Sequence, residues 1–395
     1  MGVRSGYRRI SASPPRDTFW HGRRGRKAGV NSTVVALIVL IAALILAGGI
    51  IAALILSPSA SREVLSTAHA APAVEPLVLP ALKPGPEALQ SRLDILAKDF
   101  GEPVGIAVAH VSDNWMASVA PDQPFPQQSV SKLWVALATL DAVDRGLLSL
   151  DSGLLMGLDD RSVFNQPLAH NIGETGHHTT VSLLLRHALV SSDNSANDRL
   201  IRQIGIPGVN AFLSAKGITG VRLGADERHL QSMIAGLTWT PDLGEPTAFE
   251  QARAKLPTEA RKAALMAYLA DPVDGATPRG IVQGLAALQR GQLLSPQTTA
   301  FMLDTLQHVR TGPMRLKGGL PQGWTCAHKT GTGQDFRGAS VGINDVGLLT
   351  APDGQTFAVA VMIPFSSSPN SERLALMQAV ARAVAETWRP RNGNV

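Results

Sequence analysis

Residues 129–143 read Ser-Val-Ser-Lys-Leu-Trp-Val-Ala-Leu-Ala-Thr-Leu-Asp-Ala-Val, with serines at the head and no glycine or proline inside. That composition predicts a helix. Positions i and i+3 share a helical face, so the Ser129 hydroxyl and the Lys132 amine can come within hydrogen-bond reach. A serine hydroxyl is a poor nucleophile until a neighbouring base takes its proton, and a buried lysine with a lowered pKa can do so. Taken alone, S-x-x-K is a weak signal, because serine is also the ordinary residue of a helix start.

Two more tripeptides lie downstream. Ser192-Asp193-Asn194 follows the helical pattern Thr-Val-Ser-Leu-Leu-Leu-Arg-His-Ala-Leu-Val, and Lys329-Thr330-Gly331 closes the strand Gly-Trp-Thr-Cys-Ala-His. S-x-x-K, S-D-N and K-T-G in this order form the set found in class A β-lactamases and penicillin-binding proteins. The chain resembles the class A β-lactamase family over about residues 87–390. The resemblance continues in Glu227-Arg228-His229-Leu230-Gln231, which stands where the family has E-x-x-L-N in its omega loop. Asp271-Pro272-Val273-Asp274 and Thr277-Pro278 match the segment that closes that loop, and Thr311-Gly312-Pro313-Met314-Arg315 matches T-G-x-x-R. Glu227 carries the most weight, because D,D-peptidases with S-x-x-K and K-T-G lack this glutamate.

The resemblance implies roles. Ser129 attacks the carbonyl of a small-molecule β-lactam, and either Lys132, or Glu227 acting through a water, takes its proton. Ser192 passes a proton to the leaving nitrogen, with Lys329 holding that hydroxyl. The backbone N–H groups of Ser129 and Thr332 form the oxyanion hole. Asn194 binds the side-chain amide of the substrate, and Thr330, Gly331, Thr332 and Arg315 meet its carboxylate. Glu227, with Gln231 beside it, activates the water that clears the acyl-enzyme. No cofactor and no metal are implied.

Three departures fall on the last step. Gln231 replaces an asparagine, Arg228 replaces a proline, and Ala225 stands where an arginine usually pairs with the loop-closing aspartate. Arg222 or Arg228 is the candidate partner for Asp274 instead. An insertion at about 232–270 separates Gln231 from Asp271, and Thr247–Lys255 and Thr258–Leu269 read as two short helices split at Pro257. It would form either a lid on the cleft or an outward-facing surface hairpin.

Working outward, Glu87 to Phe100 reads as an amphipathic helix, and Val104–Val111 with Asn114–Val119 as a hairpin. Trp324–Lys329, Ala339–Thr350 and Gln355–Ile363 read as strands, and Glu372–Trp388 as a closing helix. The expected fold is α/β (α+β). An antiparallel sheet of about five strands is built from both chain ends and flanked by helices, with an inserted all-helical lobe at about 124–320 and the site between the two. The catalytic domain is expected to be a monomer.

Composition bounds the rest. A chain of 395 residues with 45% hydrophobic and 17% charged side chains is neither disordered nor a polytopic membrane protein, and a single cysteine excludes an intramolecular disulfide. The net charge of +5 is concentrated at the start, where Arg4, Arg8, Arg9, Arg16, Arg23, Arg24, Arg26 and Lys27 face only Asp17. The remainder carries a slight acidic excess, so no nucleic-acid partner is expected. The basic tail (1–32) precedes an apolar run from Val34 to Leu56 that is free of charge and proline. As a helix it would span roughly 34 Å, enough to cross a membrane. The positive-inside rule then places the N-terminus in the cytoplasm, a single-pass anchor at 33–57, an Ala/Pro-rich tether at 58–86, and the catalytic domain in the periplasm or outside. Cleavage after Ala68-His69-Ala70, releasing a periplasmic or secreted domain, is the alternative.

Other eye-catching residues have blander readings. His177-His178 sits in a Gly-Glu-Thr-Gly loop and lacks a third ligand at metal-site spacing. Cys326 and His328 share one side of a strand, where Cys326 is a small buried residue rather than a nucleophile. Two other functions fit the motifs less completely: a D-Ala-D-Ala-type peptidase or esterase acylated but slowly released by β-lactams, and a non-catalytic anchored cell-wall-binding protein.

Overall fold

A computed structural model describes residues 76–390. The expected tail and membrane anchor, and the tether up to residue 75, lie outside the described residues. Among the described residues no helix is long and apolar enough to cross a membrane. The strands are β1 (Lys83–Pro84), β2 (Gly105–His110), β3 (Trp115–Val119), β4 (Phe125–Pro126), β5 (Gly153–Met156), β6 (His177–Thr180), β7 (Gly275–Ala276), β8 (Thr325–Gly331), β9 (Asp335–Phe336), β10 (Ala339–Thr350) and β11 (Thr356–Ser366). The helices are α1 (Glu87–Phe100), α2 (Lys132–Asp144), α3 (Val181–Val190), α4 (Asn194–Ile204), α5 (Ile206–Ala215), α6 (Glu227–Ala235), α7 (Ala248–Lys255), α8 (Thr258–Ala270), α9 (Pro278–Gln289), α10 (Pro296–Gln307) and α11 (Asn370–Thr387).

Strand alternation sets the layers. In β2, Ala107 and Ala109 face one core while Ile106 and Val108 face another; in β11, Ala358, Ala360 and Met362 alternate with Val359, Val361 and Ile363. A sheet that is apolar on both faces needs a covering layer on each. Helices α1 and α11 cover the face of the large β-branched residues, through Leu89, Leu93, Met377, Val380 and Val384. The small residues of the opposite face admit α9, whose Ile281, Val282 and Leu285 join a core with Trp134 and Leu137 of α2. The sheet order is β1-β3-β2-β11-β10-β8, with β9 paired to β10 off this path.

Three expectations need correction. The main sheet has seven strands rather than about five, because β1 and β9, two residues each, extend its edges. It is mixed, since β1 runs parallel to β3. The lobe is not all-helical: β4 pairs with β7 and β5 pairs with β6. Strands β1, β4, β7 and β9, of two residues each, carry too little periodicity to be read from sequence, and the four residues of β6 lack an apolar alternation, so His177 and His178 sit in a ribbon, not a loop. Leu77, Leu79 and Leu82 pack on the main core, and the Leu77 N–H donates to the Ala215 carbonyl at 2.9 Å.

Candidate active site

Ser129 lies in a 3-10 turn, Gln128–Ser131, that feeds directly into α2, so Lys132 opens the α-helix. The Lys132 Nζ donates to Ser129 Oγ at 2.8 Å and to Asn194 Oδ1 at 2.9 Å, and it contacts Glu227 Oε1. Lys132 is 0% exposed and Glu227 3%. A buried ammonium is costly unless it is paired and its hydrogens are satisfied. Here three donors meet three acceptors, one of them a carboxylate.

The S-D-N turn delivers the opposite wall. Ser192 takes a left-handed conformation (φ 58°) between α3 and α4. Asp193 caps α4, its Oδ1 accepting from the Ala196 N–H at 3.0 Å, while its Oδ2 accepts from the Leu168 N–H at 2.6 Å. So held, the Ser192 Oγ accepts from Lys329 Nζ at 2.8 Å. Lys329 projects from β8, paired with Val346 of β10, and is wholly buried. Desolvation, with Lys132 nearby, holds its ammonium well below the usual lysine pKa.

Arg315 spans the end of β8. Its Nη1 donates to the carbonyls of Gly331 (2.8 Å) and Asn344 (2.6 Å), and its Nη2 to Thr332 Oγ1 at 2.7 Å. Burial lowers its pKa from the ordinary arginine value. Thr330 Oγ1 and Thr311 Oγ1 lie 2.7 Å apart. Gly331 is not part of the cleft wall. A Cβ there would sit 2.4 Å from the Gln127 carbonyl oxygen, so it is the close approach of β8 to the turn before Ser129 that requires glycine.

Glu227 is the first residue of α6, and Asp226 caps that helix by accepting from the His229 N–H at 3.0 Å. Asp198 of α4 accepts from the amides of Glu227 (2.8 Å) and Arg228 (3.2 Å) and from Ser162 Oγ (2.8 Å). Burial, with the charges of Asp226 and Glu227, pushes the Asp198 carboxyl up to about 8. One turn along α6, Gln231 Nε2 stands 3.4 Å from Glu227 Oε2 and donates to Gln128 Oε1 at 2.8 Å. The Gln334 amide in turn donates to the Gln231 carbonyl oxygen (2.7 Å) and Oε1 (3.1 Å).

Neither arginine expected at Asp274 serves it. Arg222 turns to Asp271 and the Pro272 carbonyl, and Arg228 to Asp226 and the Asp159 carbonyl. Asp274 is fully buried and accepts from the Tyr268 hydroxyl (2.8 Å) and the Gln128 N–H (2.7 Å). Desolvation raises its pKa to about 6 despite these two donors.

The insertion is not an outward-facing hairpin. On α8, Leu265 and Tyr268 pack with Leu230 and Ile234 of α6, while Phe249 of α7 meets Phe164 edge to face with centroids 4.9 Å apart. Arg253 of α7 lies over the Phe164 ring, 5.7 Å from its centroid, and donates to Gln334 Oε1 at 2.9 Å. The insertion therefore builds one rim of the cleft and leaves it open.

That cleft, about 610 Å³, is lined by Ser129, Ser192, Asn194, Glu227, Gln231, Arg315, Thr330 and Thr332 of the expected set. Lys132 and Lys329 lie behind it, reaching it through the two serines. Phe164, Arg253 and Gln334 also line it, and the sequence reading missed them. Asp198 had a faint signal, four residues after Asn194 and so on the same face of α4. Tyr268, inside the insertion, had none. Cys326 is buried and its thiol is pushed well above the usual range by desolvation, while His328 pairs with Asp345 at 2.8 Å rather than with the thiol.

Comparisons with known proteins agree with this geometry. The family model described as "Beta-lactamase enzyme family" matches residues 88–388. The chain is 25% identical over 301 residues to the β-lactamase VEB-1 of Pseudomonas aeruginosa, covering 76% of this chain and 89% of that one. It is 27% identical over 286 residues to the extended-spectrum β-lactamase PER-1 of the same species, covering 71% and 80%. The crystal structure of the TLA-3 extended-spectrum β-lactamase superposes with a TM-score of 0.63 at 26% identity, covering 76% of this chain and 98% of that one. The chain belongs to the class A β-lactamase family.

Proposed function

We propose that this protein is a serine β-lactamase in which Ser129 opens the lactam ring and a Glu227-activated water releases the product. The observation that carries the proposal is the placement of Glu227 and Gln231 in one cleft with Ser129, joined to it through Lys132. An ammonium that donates to Ser129 cannot also accept its proton. Either Lys132 first yields a proton to the adjoining Glu227 carboxylate, or Glu227 takes the Ser129 proton through a water. The Ser129 oxygen then bonds to the lactam carbonyl carbon. The charge that develops on the carbonyl oxygen is held by the backbone amides of Ser129 and Thr332. The C–N bond breaks, and Ser192, bonded to Lys329, delivers a proton to the nitrogen and receives in its place the proton taken from Ser129, which leaves Glu227 ionised again. Glu227 next takes a proton from water, the hydroxide bonds to the ester carbonyl carbon, and as the C–O bond breaks that proton passes back to Ser129. Asn194, Thr330, Thr332 and Arg315 are the substrate-binding side chains in this scheme.

Mass spectrometry after a pulse of benzylpenicillin tests it. A Ser129 adduct that clears within the first minutes, and persists in Glu227→Gln, is expected. A persistent adduct in the parent would favour the peptidase reading, and no adduct at all would refute acylation at Ser129.

We also propose that 33–57 anchors a monomeric catalytic domain on the outer face of the cytoplasmic membrane, with residues 1–32 inside. The charge asymmetry about the apolar run supports this. A reporter fused after Val395 should be active only outside the cytoplasm; activity inside would overturn the topology.

A further inference from the structure

We infer that Tyr268, contributed by the insertion, is a positioning residue for deacylation: its hydroxyl sets the direction of a buried hydrogen-bond chain running from Asp274 through Gln128 and Gln231 to Glu227. The inference rests on the β-lactamase reading above.

Tyr268 is 4% exposed, and its ring packs among Leu230, Ile234 and Val341, two of which belong to the helix that carries Glu227. Its hydroxyl has one proton to give. An ionised carboxylate can only accept, so that proton goes to Asp274 Oδ1 at 2.8 Å. The Tyr268 oxygen is left to accept, and it does so from Gln128 Nε2 at 2.6 Å. The Gln128 amide is thereby oriented, with Oε1 turned to accept from Gln231 Nε2 at 2.8 Å. Gln231 is oriented in its turn: its Nε2 faces Glu227 Oε2 at 3.4 Å and its Oε1 accepts from Gln334. Every link is a neutral amide or hydroxyl: Gln128 takes its sense from Tyr268, and Gln231 from Gln128 on one side and from Gln334, oriented by Arg253, on the other. A guanidinium in place of Tyr268 could neutralise Asp274, but it could not accept from Gln128. Gln128 is also the residue before the nucleophile, held at φ 51° by the bond from its own N–H to Asp274 Oδ2 at 2.7 Å. Loss of the hydroxyl frees the Gln128 amide to turn over, which would set its Nε2 against the Gln231 Nε2 and displace that amide from Glu227 Oε2.

The test is single-turnover kinetics of the full chain with benzylpenicillin, following the Ser129 adduct by mass spectrometry. Tyr268→Phe keeps the ring and removes only the hydroxyl. It is expected to acylate within about twofold of the parent and to deacylate roughly tenfold more slowly. In the steady state kcat and KM then fall together while kcat/KM holds. A merely loosened fold would lower kcat without lowering KM. Gln128→Met, which removes the amide and leaves Tyr268 in place, should give the same split. Should Tyr268→Phe clear its adduct at the parent rate, or slow acylation as much as deacylation, the inference is overturned alone. A parent that never clears its adduct overturns the β-lactamase reading and this inference with it.

Discussion

The two halves of the cleft are held by different means. On the acylation side, Ser129, Lys132, Ser192 and Lys329 are fixed by short spacings and strand register: an i,i+3 pair at a helix start, a capped turn, and a β8 lysine opposite Val346. Two buried cations bond the two reacting hydroxyls directly. On the deacylation side, Glu227 is fixed by Asp198, 29 positions away beneath its amide, and by Gln231, itself tied to the distant Gln128 and Gln334. The first half is tight because the helix and the sheet already specify it. The second is assembled from buried neutral amides, a hydroxyl and two carboxylates of raised pKa, and so depends on every member being present.

Breaking the halves separately should show it. Glu227→Gln strikes the second half hardest: hydrolysis is expected to fall by about 10²–10⁴-fold and acylation by less, since Lys132 remains beside Ser129, read as a trapped Ser129 adduct. Lys132→Ala strikes the first, with a loss of similar size in acylation and no adduct to trap. Arg315→Ala removes a charged fork from the cleft wall. A rise in KM of roughly ten- to a hundredfold is expected, larger than the change in kcat. Removal of Arg253 at the opposite rim costs one hydrogen bond to Gln334, and a change in KM of only about threefold to tenfold is expected.

The smallest effect is one of pH. Asp198 is raised from 3.8 to about 8. A proton is therefore held more tightly in the folded state than in the unfolded, and the stability this confers at low pH is lost as pH rises through that range. Asp274, raised to about 6, adds to the same slope over its lower part. Thermal denaturation between pH 5 and pH 8 should show a falling Tm in the parent and a shallower fall in Asp198→Asn. Parallel curves for the two would count against a shifted Asp198.

The same contrast governs what could be read from sequence. Ser129, Lys132, Ser192, Lys329 and the two long terminal strands announce themselves because local spacing and period-2 alternation follow from backbone geometry. The partner of Asp274 does not. Position 225 offers only an alanine, and the charged candidates Arg222 and Arg228 are both drawn to nearer acids. A tyrosine on an inserted helix could not be matched to Asp274 before its packing against α6 was seen. The short strands, two to four residues each, that made the sheet mixed and the lobe partly β escaped for a related reason: each is defined by its partner, not by its own composition.

The sheet itself has a consequence for biogenesis. β2 pairs with β11, and His110 and Gln355, 245 positions apart, share a hydrogen bond at their common edge. During vectorial synthesis the first strands must wait for the last before either can be capped on both sides. The chain therefore stays threadable, without a finished core, until nearly all of it has emerged. For a protein proposed to cross a membrane before it works, that delay keeps the translocating chain unfolded, and loss of β11 near the end would leave the N-terminal strands as a β1-β3-β2 ribbon with one edge of β2 unpaired.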